Sequence, residues 1–193
     1  LDNVKVCRVT IEDDFPLPST VERPANQIRC NPGTSLHASL PCTVWSKWQV
    51  MAIHRYGPKY LLKLSKRRSK AKLSVQSFIS LADIAISLGG NVSFEWPRHC
   101  TGWLLPILIE FIERHQLYAV DVDGCGCGMK NASGVPILKQ WRFLTSSQPQ
   151  AVSLSAVRCT HKPDFEHAVI EGSVTKQTES YPPSLCRTML TSL

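Results

Sequence analysis

Between Leu36 and Thr145 short extended runs alternate with helical patterns, and no other feature constrains the fold as strongly. Leu36 to Leu40 is an apolar run closed by Pro41-Cys42, as expected where a residue cannot donate to a ladder. Gln49 to Tyr56 reads as a helical continuation broken at Gly57-Pro58. Phe78, Leu81, Ala82, Ala85 and Leu88 then recur at helical spacing, and Gly89-Gly90 supplies the stop. Asn91 to Glu95 reads as a strand ended by Trp96-Pro97, Gly102 to His115 as a helix capped by Thr101, and Leu117 to Val122 as another strand. Such alternation predicts a parallel sheet with crossover helices. Between Asp123 and Lys139, glycines at 124, 126, 128 and 134 argue against a crossover helix. The strand Trp141 to Thr145 is therefore expected to turn back. The expected fold is α/β, a mostly parallel sheet with one antiparallel strand near the C-terminal end.

Outside that region the signals are weaker. Val4 to Ile11 is rich in β-branched residues and reads as a strand. Pro16, Pro18, Pro24 and Pro32 make residues 15–35 read as connection. The polar tail from Glu171 is expected to end in a helix packed on the sheet. We expect a main domain over 1–157 and a C-terminal extension over 158–193. The 193 residues suit one sizeable core, and no run of 18 uncharged apolar residues occurs. No signal-peptide pattern follows Leu1, so the chain reads as an excerpt of a longer intracellular protein, nuclear or cytoplasmic. Its eight cysteines are then expected as free thiols.

The net charge of +7 is unevenly spread. Lys59, Lys63, Lys66, Arg67, Arg68, Lys70 and Lys72 fall close together with no acid among them. Clustered cations favour a polyanion because they release counterions from phosphates, so nucleic acid is an expected partner and a membrane is not. The competing reading is a solvated helix face. Trp45 and Trp48 can stack on bases or pack in a core.

Three segments in order resemble motifs of DNA cytosine-5 methyltransferases. Pro41-Cys42 followed by Trp45-Ser46 is similar to that family's proline-cysteine motif. Phe94-Glu95-Trp96-Pro97 takes the place of its Glu-Asn-Val motif, and Gly134-Val135-Pro136 with Trp141-Arg142-Phe143 is similar to its Gly-Val-Pro-Gln and paired-arginine segment. The resemblance covers roughly 36–147 and implies a Rossmann-like methyltransferase fold using S-adenosylmethionine. It implies that Cys42 attacks C6 of a cytosine flipped from its duplex, Glu95 handles the proton at N3, and Arg142 supports the cysteine loop. No glycine-rich cofactor loop precedes Cys42, and Trp96 stands where the motif has asparagine. The implied module is therefore either active or a relative that has lost catalysis. Asp121 to Gly128 superficially resembles a glycine-rich cofactor loop, one residue out of register. The wider set of motifs resembles methyltransferase-like segments of mobile-element polyproteins.

The alternative is a non-catalytic nucleic-acid or protein interaction module with a zinc site. Cys159-x-His161 and His167 are the right ligand types for zinc, with Cys186 or the pair Cys125 and Cys127 as further candidates. The spacing matches no standard finger, and unliganded histidines are the competing reading. His99 and Cys100, just past the strand bearing Glu95, are further candidates to line the same cleft as Cys42, with a histidine that carries no function as the competing reading.

Overall fold

The computed structural model describes residues 5–10, 15–170, 175 and 178–192. The chain divides into two compact units, Leu1–Val92 with Thr101–Phe111, and Ser93–Cys100 with Ile112–Leu193.

The first unit is built on helices. Helix α1, Pro18–Cys30, occupies the proline-rich stretch expected as connection. A proline in the first turn forfeits only an N–H that a helix start leaves unbonded. Pro24 sits inside the helix, and burial of Ala25 and Ile28 against the core offsets the lost backbone bond. Residues 5–10 form neither helix nor strand, against the expected strand; Val4 and Ile11 lie outside the described residues. Val6 is 68% exposed, so no ladder or apolar surface holds that run extended. After strand β1, Leu36–Ser39, a short 3-10 turn at Thr43–Trp45 leads into helix α2, Trp48–Ser87. The expected break at Gly57-Pro58 is a kink: Gly57 takes φ 68° and ψ −159°, a conformation that a side chain would strain. Beyond it Phe78, Leu81, Ala82 and Ala85 are buried as their spacing predicts, and Phe78 meets Phe111 edge to face at 5.8 Å. Leu88 is half-buried just past the helix end.

The expected helix from Gly102 is in two pieces, a 3-10 turn at Thr101–Leu104 and α3, Pro106–Arg114. Pro106 lacks an N–H and disfavours helical geometry at the residue before it.

The second unit contains β2 (Val92–Pro97, whose first residue belongs to the first unit), β3 (Tyr118–Asp123) and β4 (Gln140–Thr145). Strand order in the sheet is β1-β2-β4-β3, with one parallel pair. The fold is α/β as expected, but the sheet is mostly antiparallel. β4 runs antiparallel to both of its neighbours, with Glu95 opposite Phe143 and Asp121 opposite Arg142. β2 and β3 therefore point the same way, as strands joined through a helix should, but β4 lies between them and replaces their parallel ladder. Helix α4, Gln148–Ser155, begins at Ser147, whose hydroxyl accepts from the Gln150 N–H at 3.2 Å. Helix α5, Pro183–Thr191, is the expected terminal helix. Its Leu185 and Met189 bury against Val122, Trp141, Phe143 and Leu154 to make this unit's core.

Candidate metal centre

β3 ends in Asp123, and the chain turns at once through a 3-10 turn, Gly124–Cys127. The segment after α4 comes back alongside that end. Asp123 donates its N–H to the Val157 carbonyl at 3.0 Å, and its Oδ2 accepts from the Cys159 N–H at 3.0 Å and from Arg158 Nε at 2.9 Å. Gln140 Nε2 bonds Oδ1 at 3.0 Å. Burial alone would raise the Asp123 carboxyl, but these donors and the Arg158 charge hold it below the usual carboxylate value. The carboxylate thus staples two loops that lie 34 positions apart in sequence, from Cys125 to Cys159. Gly126 lets them approach: a Cβ there would lie 2.5 Å from the Arg158 carbonyl oxygen.

The stapled loops converge on one cluster. Ligand atoms of Cys125, Cys159, His161 and His167 all lie within 4.8 Å of one another. Cys159 Sγ is 3.3 Å from His161 Nδ1 and 3.4 Å from His167 Nε2. Bond lengths of about 2.3 Å to sulfur and about 2.0 Å to nitrogen put tetrahedral S···N edges at about 3.5 Å, so the two separations from Cys159 Sγ are close to those a tetrahedral site needs. Phe165 buttresses the two imidazoles, stacking on His161 at 4.2 Å and meeting His167 edge-on at 4.9 Å, while the imidazoles themselves meet edge to face at 5.0 Å. A turn closed by the Phe165 N–H on the Lys162 carbonyl puts that ring there, and the Ala168 N–H on the Pro136 carbonyl anchors the far side of His167. Burial pushes the Cys125 thiol up to about 12, and the neighbouring Cys159 and Asp123 add to the rise. Without a cation the Cys125 thiol keeps its proton; a divalent ion would supply the charge that makes it a thiolate. This Cys/His cluster can hold a metal ion.

Comparison with protein-family models, curated proteins and solved structures gives no match to this chain.

Of the expected ligands, Cys159, His161 and His167 come together, and Cys125 completes the set. Cys127 donates its thiol to the Gly124 carbonyl at 3.1 Å and packs against the core, while Cys186 lies on α5 with its thiol toward the Tyr181 carbonyl. The Cys-x-Cys spacing marked the pair; only the fold chooses between its members.

The remaining candidates are distributed elsewhere. Cys42 is half-exposed at the start of the first 3-10 turn, in the first unit, whereas Glu95 is buried in the second. Glu95 Oε2 accepts a 2.6 Å hydrogen bond from the Tyr181 hydroxyl. His99 is exposed and Cys100 buried. Trp45 is 5% exposed and Trp48 71%, so the two tryptophans part company. Arg68 Nε donates to the Val44 carbonyl at 3.0 Å, and its guanidinium lies over the Trp45 ring, which withdraws both from the expected nucleic-acid-binding set. Lys63, Lys66, Arg67 and Lys70 are exposed on α2.

Arg142 forks onto Asp121, with Nε–Oδ1 2.8 Å and Nη2–Oδ2 3.1 Å, and Arg98 Nε adds a third contact at 3.0 Å. Burial would raise the Asp121 carboxyl, but the Arg142 fork, with the charges of Arg98 and Arg158, holds it below its ordinary value. A carboxylate with a lowered folded pKa contributes stability that is full above its unfolded value of about 3.9 and fades as pH falls through the folded one. Asp121→Asn is accordingly expected to lower the urea midpoint at pH about 7, and the gap from the unchanged protein should close below pH about 4. A gap that stays constant across that range would show that the fork contributes no pH-dependent stability.

Proposed function

We propose that this chain is a zinc-binding module in which one zinc ion, held by Cys125, Cys159, His161 and His167, locks the segment after α4 onto the end of β3. The observation that carries this reading is the convergence of two sulfur and two imidazole donors within 4.8 Å. Two thiolates and two imidazoles in a tetrahedral arrangement suit zinc over harder cations, which prefer oxygen. Four protein ligands fill the tetrahedron, so the ion's role is structural, not that of a Lewis acid with an open position. Gln140 and Arg158, acting through Asp123, orient the loop that carries three of the ligands, as outer partners commonly do around a metal. A zinc-closed α/β module of this size serves as an interaction unit.

Protein produced without added chelator is expected to carry about one zinc per chain by elemental analysis, and cobalt replacing it should show the intense visible bands of a tetrahedral thiolate site. Less than about a tenth of an equivalent after zinc loading, or an octahedral cobalt spectrum, would overturn the assignment.

Methyl transfer at Cys42, with Glu95 as its carboxylate and S-adenosylmethionine as donor, is supported less well by the geometry. Tyr181 gives Glu95 a partner inside the second unit, and Arg142 is engaged with Asp121, so both residues have roles in holding that unit together.

A further inference from the structure

We propose that Lys59, Lys63, Lys66 and Arg67, on the exposed face of α2, form a docking surface for the phosphate backbone of duplex nucleic acid. The proposal does not rest on the metal centre, whose residues all belong to the other unit. It begins from charge. Residues 23–82 contain eleven lysines and arginines and no aspartate or glutamate, so this stretch carries +11 and the rest of the chain −4. All of the net positive charge therefore comes from one acid-free segment, and α2 supplies most of it.

The helix arranges that charge in a row. At about 100° per residue, taking Lys59 as zero, Lys63 lies at about 40°, Lys66 at about −20° and Arg67 at about 80°. All four are exposed and share one face, and Lys70, at about 20°, continues it. Arg68 falls on the opposite side at about 180°, where it is spent on Val44 and Trp45. From Lys59 to Lys70 the row is about 16 Å long, and a duplex presents a charge about every 1.7 Å of its axis. Several phosphates lie within reach of one straight row.

Two features favour a duplex over other polyanions. Single strands are held by exposed aromatic platforms, whereas Tyr60, at the edge of the row, is half-buried with its hydroxyl donating to Gln49 at 2.7 Å. Helices that lie in a membrane surface insert an apolar face opposite their cations. Here Leu64 and Val75, at about 140° and 160°, are buried in the protein's own core.

The test is fluorescence anisotropy of the intact chain with a labelled duplex of about 20 base pairs, titrated at salt from about 50 to about 200 mM. Four neutralised phosphates predict a slope of log affinity against log salt near −3.6, or about 150-fold weaker binding over that range. Lys59→Gln, Lys63→Gln and Lys66→Gln together should flatten the slope by about 2.7 and weaken low-salt binding by at least about tenfold. Arginine at the same three positions should restore both, which separates lost charge from lost folding. Lys130→Gln with Arg187→Gln, removing two exposed cations of the other unit, should change neither. The proposal is overturned if the triple glutamine protein binds like the unchanged one. It is equally overturned if the unchanged protein prefers a single strand or a phosphatidylserine vesicle to the duplex.

Discussion

Replacing Cys159 with serine is expected to abolish stoichiometric zinc binding and to unfold the loops around the centre. Cys159 is the donor that touches both histidines, at 3.3 and 3.4 Å, and its own N–H is pinned to Asp123. A serine hydroxyl keeps the shape but does not become an anion at neutral pH, so the ion loses one of its two thiolates. Structural zinc contributes apparent binding energies of roughly 10–16 kcal/mol in small domains, and what the ion gains by binding the folded state is stability. Losing one thiolate should cost at least about 3 kcal/mol of that. Elemental analysis should fall from about one zinc to none, and the unfolding midpoint should drop to that of the unchanged protein treated with chelator. The variant should then be indifferent to chelator. Cys127→Ser and Cys186→Ser should keep the full equivalent of zinc, because neither thiol belongs to the cluster. A Cys159→Ser protein that retains zinc, or melts with the unchanged one, would show that these residues do not form a zinc centre.

Gly126→Ala tests the same centre without touching a ligand. Its Cβ would stand 2.5, 2.8 and 3.0 Å from the oxygen, carbonyl carbon and nitrogen of Arg158. These are backbone atoms, so no side-chain rotation relieves the overlap. The turn carrying Cys125 and the segment carrying Cys159 must move apart. Overpacking of this kind costs about 1–3 kcal/mol, and displacing a ligand's supporting frame weakens metal affinity by about 10–100-fold. Competition with a zinc chelator measures the second quantity directly. Ser133→Ala, in a nearby exposed loop, should change neither stability nor affinity. Equal zinc affinity in Gly126→Ala and the unchanged protein would mean that the close approach of the two loops does not position the thiolates.

Much of the local structure is legible in the residues themselves. The apolar stripe of Phe78, Leu81, Ala82 and Ala85 could only be one face of a helix, and it is buried. The strands around Phe94, Val122 and Phe143 were bounded by prolines, glycines and charges at nearly the positions where they end. The chemistry of the centre was legible as well, since Cys159, His161 and His167 within nine residues offer soft and borderline donors and little else. α1 was hidden because prolines argue against a helix locally, and burial of Ala25 and Ile28 is a tertiary gain that outweighs them.

Strand order was the larger loss. Periodicity identifies a strand but not its neighbour. Inserting β4 between β2 and β3 satisfies the same hydrogen-bonding groups as a parallel pair would, with antiparallel bonds instead. The choice between Cys125 and Cys127 was likewise undecidable from spacing, because successive residues of a short turn point different ways. Amino-acid order by itself determined the element types, the buried faces, the acid-free basic segment and the ligand chemistry, each an interaction between near neighbours in the chain. Tertiary structure alone decided which strands pair, which tryptophan is buried and which cysteine meets the two histidines, because those outcomes depend on contacts between residues tens of positions apart.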